Sequence, residues 1–156
     1  MTLHDFLEEK EFVKSVHEAL FNILSLLLKK NMSFSVITNT ARVGFNPPLP
    51  EDIIKLFQKA SVFELCGYTL STARIEEDAL RFEAGFGENN FASLVSVPIG
   101  AILQIFIDNS PLFINMAIEK SPTLPAVQKQ RNEQSSYERS LQALLNNPEN
   151  KKLLKN

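Results

Sequence analysis

The sequence predicts an α+β fold: an N-terminal helix, then a small, strongly bent antiparallel sheet or β-barrel of five or six short strands, then a partly helical or flexible C-terminal tail. Three observations predict it. Apolar residues recur at helical spacing between Phe12 and Lys30. From Met32 to Ile118 the period drops to two, in short runs broken by Pro, Gly, Asn and Asp. After Lys120 the pattern gives way to a polar stretch, so the expected division is a domain over residues 1–120 and a tail over 121–156.

A chain of 156 residues, 44% hydrophobic and 22% charged, has the make-up of an ordinary globular protein with its own core. Its formal net charge of −2 provides no bulk attraction for nucleic acid or an anionic membrane. Cys66 is the single cysteine, so no internal disulfide is possible and a reducing cytoplasm is the natural setting. The opening MTLHDFLEEKEF is acidic and lacks the basic-then-apolar order of a secretion signal. The longest apolar stretch, Ala19–Leu28, is interrupted by Asn22 and Ser25 and is far short of the roughly 20 residues that span a bilayer. A cytoplasmic protein without a membrane segment is expected.

In chain order, Val13, Val16, Leu20, Ile23, Leu24 and Leu27 form one face of the helix Phe12–Lys30, closed by Lys29, Lys30 and Asn31. Phe21, Leu26 and Leu28 lie off that stripe, so the helix is apolar on a second side and needs a second packing partner, such as another copy of the chain. Met32, Phe34 and Val36 read as a strand, with Val43 and Phe45 following after a break. Asn46-Pro-Pro-Leu-Pro50 cannot lie inside a sheet, and Pro50-Glu51-Asp52 opens a short helix bearing Ile53, Ile54, Leu56 and Phe57. Val62–Cys66 is a further strand, followed by a connecting segment, Ile75 and the turn Glu76-Glu77-Asp78. Leu80, Phe82, Ala84 and Phe86 alternate with Arg81, Glu83 and Gly85 in the clearest strand, which turns at Gly87–Asn90 into Phe91–Val97. Pro98 suits the first residue of a short helix over Ile99–Ile107, stopped by Asp108-Asn-Ser-Pro111 before a last strand, Leu112–Ile118. Beyond the linker Ser121–Pro125, Tyr137, Leu141, Leu144 and Leu145 share a helical face, and Lys151-Lys-Leu-Leu-Lys155 forms a basic tip.

Catalytic chemistry finds little purchase here. His4 and His17 are the two histidines, neither has a second His or Cys at metal-ligand spacing, and no G-x-S-x-G elbow occurs. Gly85-Phe86-Gly87 ends a strand and lacks the rest of a nucleotide fingerprint, so a hairpin bend is its better reading. Glu76-Glu77-Asp78 has no cleft to tune it and reads as a solvated turn. No metal, no cofactor and no enzymatic activity are expected. A bent sheet does offer unpaired edges, to which an extended peptide adds backbone hydrogen bonds while its side chains enter shallow pockets, and the small Ala84 among Leu80, Phe82 and Phe86 would open one. The competing reading is that these aromatics are simply core.

Leu80-Arg-Phe-Glu-Ala-Gly-Phe-Gly87, followed by a turn and Val95-Ser-Val-Pro-Ile-Gly-Ala-Ile-Leu-Gln-Ile-Phe106, resembles the SspB (stringent starvation protein B) adaptors, whose pattern is apolar-R/Q-F-N-A-R-F, a glycine turn, then S-V-P or I-P-x-x-A-x-L-A-I-Y. Leu26-Leu-Leu-Lys-Lys-Asn-Met-Ser-Phe-Ser-Val-Ile37 is similar to that family's helix end and first strand, and Pro50 with Asp108-Asn-Ser-Pro111 is closer to the alphaproteobacterial version. The resemblance covers residues 12–118. It implies an Sm-like bent-sheet barrel, dimeric through the N-terminal helix (Phe21, Leu24 and Leu28 here), that binds ssrA-type degradation tags and delivers tagged substrates to the ClpXP protease. Thr69 and Ala84 match small groove residues of the family, with Phe82, Phe86 and Val97 flanking them by pattern. Lys152, Leu153, Leu154 and Lys155 are the loose counterpart of the tip that docks on the ClpX unfoldase. The chain departs from the pattern in a shorter tail of partly helical character and in two extra residues near Asn89. The alternative on the same fold is a protein- or RNA-interaction module without a protease role, against which stands the lack of a basic, aromatic-lined strand face.

Overall fold

A computed structural model describes residues 1–119. The chain divides into a unit over Met1–Ile118 and a second over Glu119–Asn156, and the account below concerns the first. It is α+β, with N-terminal helices followed by two antiparallel sheets of four strands each.

Helix α1 (Leu3–Glu8) is started by a capping box: Thr2 Oγ1 accepts the Asp5 N–H at 3.1 Å, and Asp5 Oδ2 accepts the Thr2 N–H at 2.9 Å. These bonds hold the Asp5 carboxyl below its ordinary range. Helix α2 (Lys10–Lys29) is the long amphipathic helix read from the sequence, begun two residues earlier. Val16, Leu20, Leu24 and Leu27, three to four residues apart, are buried in the core. Burying a leucine side chain of this kind contributes about 1.5–3 kcal/mol, so this stripe anchors the helix.

The strands follow as β1 (Phe34–Asn39), β2 (Gly44–Asn46), β3 (Ala60–Leu65), β4 (Arg74–Glu76), β5 (Ala79–Phe86), β6 (Phe91–Pro98), β7 (Ile102–Ile107) and β8 (Ser110–Ile114). The first sheet has the order β3-β1-β7-β8 and the second β2-β6-β5-β4. Single 3₁₀ turns, Thr40–Arg42 and Ile99–Ala101, carry the chain from β1 to β2 and from β6 to β7, so two bent strands run through both sheets. Short helices α3 (Glu51–Ile54) and α4 (Gly67–Thr72) fill connections. The Asn46–Pro47 peptide bond is cis.

Inward residues of both sheets meet α2 in one core: Phe34 and Val36 from β1, Phe63 and Leu65 from β3, Leu80 and Phe82 from β5, Val95 and Val97 from β6, Ile102 and Ile105 from β7. The buried polar residues Thr38, Ser61 and Ser93 are each hydrogen-bonded. Thr38 Oγ1 donates to the Ser61 carbonyl at 3.3 Å, Ser61 shares a hydrogen bond with the Thr40 hydroxyl, and Ser93 Oγ donates to the Pro47 carbonyl at 2.9 Å.

Two expectations are corrected. Ile99–Ile107 is not a helix: after one 3₁₀ turn, Ile102–Ile107 pairs with β1 on one side and β8 on the other. A central strand covered on both faces reads as a nearly continuous apolar run, which periodicity alone cannot tell from a buried helix. Asp108 and Asn109, at φ 50° and 64°, then make the two-residue turn of a β7–β8 hairpin rather than a helix stop. The sheets, moreover, do not close into a barrel: among the described residues β3, β8, β2 and β4 remain outer strands.

Candidate functional site

The β5 strand pairs with β6 over its whole length, from Ala79 opposite Pro98 to Phe86 opposite Phe91. Its other edge is paired only at the start, where β4 sets Glu76, Ile75 and Arg74 opposite Ala79, Leu80 and Arg81. Beyond Arg81, among the described residues, no strand lies beside this second edge of β5. Helix α4 occupies the near part of that gap and packs against both β5 and β3. Thr72 Oγ1 accepts the Glu83 backbone N–H at 2.9 Å while donating to the Thr69 carbonyl at 2.8 Å. Tyr68 Oη donates to Glu83 Oε2 at 2.5 Å. That hydrogen bond, followed by the charge of Glu83, raises the Tyr68 phenol above its ordinary value of 10.0. The helix therefore holds one residue of the sheet edge by both backbone and side chain.

Pairing alternates along a strand, so the backbone groups of Gly85, two residues on, face the same open edge as those of Glu83. The inner face at this end is aromatic. Phe63 lies 5.6 Å from Phe82 and 6.4 Å from Phe86 between ring centroids, and Phe45 and Phe57 complete the cluster at 5.7 and 6.1 Å from Phe86. Phe45, Phe57 and Phe86 are half-buried, as are Ala84 on β5 and Thr69 on α4. Thr69 and Ala84, the small residues singled out in the sequence, lie on two elements that pack against each other at this corner, α4 and β5. Among the described residues the outer edge of β3 is also without a strand partner, and Val62 on it is exposed.

Several predicted site residues lie elsewhere. Phe82 and Val97 are fully buried in the core, where inward alternation places them between the sheets, and they cannot line an accessible surface. Leu24, expected on the dimer face, is 0% exposed because it falls on the Val16–Leu27 stripe that packs into the chain's own core. Phe21, 45% exposed, and the half-buried Leu28 lie seven residues apart on one flank of the buried stripe of α2, and the exposed Leu26 lies on its other flank. Lys152, Leu153, Leu154 and Lys155 lie outside the described residues.

Two clefts lie away from this corner. One of about 430 Å³ is lined by Met1, Phe6, Glu9, Glu11, Phe12 and Ser15 between α1 and α2. The other, about 350 Å³, lies among His17, Glu18, Phe21, Asn22, Asp78 and Ile99. Neither includes Thr69 or Ala84. Among the described residues no group of three or more His, Cys, Asp or Glu side chains is placed to hold a metal ion, and no helix is long and apolar enough to cross a membrane.

Sequence reasoning missed α4, and with it Tyr68 and Thr72. Tyr68-Thr-Leu-Ser-Thr72 is too short to show a helical period, and its Ser and Thr residues favour caps and turns. The role of Phe45, Phe57 and Phe63 was hidden for a different reason: they are spread over three separate elements and meet only in space. Comparison with known protein families gives no match to this chain, and no curated protein matches it either.

Proposed function

We propose that this protein is a peptide-binding adaptor: the corner between α4 and distal β5 grips an extended, ssrA-type degradation tag, and the C-terminal tip delivers the tagged substrate to the ClpX unfoldase of the ClpXP protease. The observation that carries the reading is the break in strand pairing after Arg81, which leaves the end of β5 with a free edge beside half-buried Thr69, Ala84 and Phe86. An extended peptide would lie against the edge of β5 past the end of α4, take backbone hydrogen bonds from Gly85, and set alternate side chains against the aromatic corner. The bent strands running through both sheets support an open arrangement of Sm-like type, and the resemblance of residues 80–106 to the SspB adaptors supplies the protease role.

The apolar flank of α2 that carries the exposed Phe21 and the half-buried Leu28 supports a homodimer. An adaptor needs no chemistry of its own. Holding the tag at one site and the unfoldase at another raises the effective concentration of the tag to as much as millimolar, and two copies add avidity. Titration of a fluorescent tag peptide, with labelled RNA alongside, tests the reading. Saturable peptide binding is the expected result, and RNA binding without peptide binding would replace it with the RNA module.

A further inference from the structure

At the rim of the β5–α4 corner stands an acidic side chain that forms no ion pair among the described residues. On the outward face of β5, Arg81 is shared between Glu76 and Glu77, with N–O distances of 3.4 and 3.3 Å, and Arg74 also pairs with Glu76. Glu83, two residues along the same face, has no Lys or Arg at ion-pair distance among the described residues. Its carboxylate does not swing freely, because the Tyr68 hydroxyl donates to Oε2 at 2.5 Å while Thr72 anchors its backbone. Oε1 faces no described hydrogen-bond donor. The partner that complements this fixed anion is a cation.

Alternation fixes where that cation sits. Ala84 turns to the aromatic inner side and Glu83 to the outer side, and neighbouring residues of an extended ligand divide in the same way. We propose, resting on the peptide-binding reading above, that the ligand of this site is an extended segment with a Lys or Arg immediately next to the small or apolar residue seated beside Ala84. An exposed pair of this kind is worth about a threefold change in affinity, and replacing attraction by repulsion extends it to about tenfold at low salt.

The experiment titrates the full chain with a fluorescein-labelled ssrA-type tag peptide and with versions in which successive residues are replaced, one at a time, by Lys or by Glu. At one position the Lys version should bind about tenfold more tightly than the Glu version, and the ratio should fall towards one when salt is raised. It should also collapse in Glu83→Gln, which keeps an acceptor for Tyr68 and so preserves the local fold. A ratio near one at every position, or one that persists in Glu83→Gln, overturns the charge preference and leaves peptide binding standing. Failure of every peptide to bind overturns the adaptor reading itself, and the preference with it.

Discussion

Thr72 Oγ1 accepts the backbone N–H of Glu83 at 2.9 Å, so the last turn of α4 stands where a longer β4 would have continued the sheet. The antiparallel register that sets Arg74 opposite Arg81 would set Thr72 opposite Glu83, and a side-chain oxygen takes that place in the ladder. The edge is thus capped at one residue and released at the next. Glu83 is fixed, Gly85 is not paired to a strand on that side, and Ala84 between them turns its methyl group to the aromatic corner.

Ala84→Gln should weaken tag binding about tenfold, or about 1.4 kcal/mol, by placing a long side chain where the ligand's own would sit. The methyl group packs against the core only in part, so the variant should fold. Peptide titration with a thermal melt as control checks it. Unchanged affinity in a folded variant would take Ala84 out of the site.

Leu24 and Phe21 should separate stability from assembly. Leu24→Ala removes a fully buried side chain and should cost about 2–5 kcal/mol in urea unfolding. Phe21→Ser alters an exposed ring, so it should leave the fold nearly unchanged and shift sedimentation towards monomer. Sedimentation unaffected by Phe21→Ser would move the self-association surface elsewhere.

The Tyr68 phenol should titrate above 10.0 in the folded protein and return towards that value in Glu83→Gln. Its folded pKa is raised, so the neutral phenol is the favoured form. The bond is therefore fully present below pH 10.0 and lost as pH rises through the folded value. Difference ultraviolet titration of the two proteins measures this, and identical curves would show that the pair does not persist in solution.

Deletion of Lys151–Asn156 should leave tag affinity unchanged and abolish accelerated degradation of a tagged substrate by ClpXP. Undiminished delivery by the truncated chain would show that these residues are not the docking element.

Much of the fold was legible because single elements carry their own periodic record. The α2 stripe and the alternation of Leu80, Phe82, Ala84 and Phe86 each follow from one side of an element facing the core, and the structure places both as read. What failed was legible only ambiguously. Ile102–Ile107 is apolar but for Gln104, and only its pairing with β1 and β8 makes it a strand. Of the residues expected at the site, Ala84 on β5 and Thr69 on α4 are half-buried, whereas Phe82 and Val97 are fully buried in the core.

The sequence by itself determined which residues face inward, because burial of one side imposes a period that local spacing records. Tertiary structure alone decided where strand pairing stops, which depth along an inward face stays open to solvent, and which helix holds the exposed edge. Those are contacts between segments far apart in the chain, made by Thr72 with Glu83 and by Phe63 with Phe86, and no local spacing encodes them.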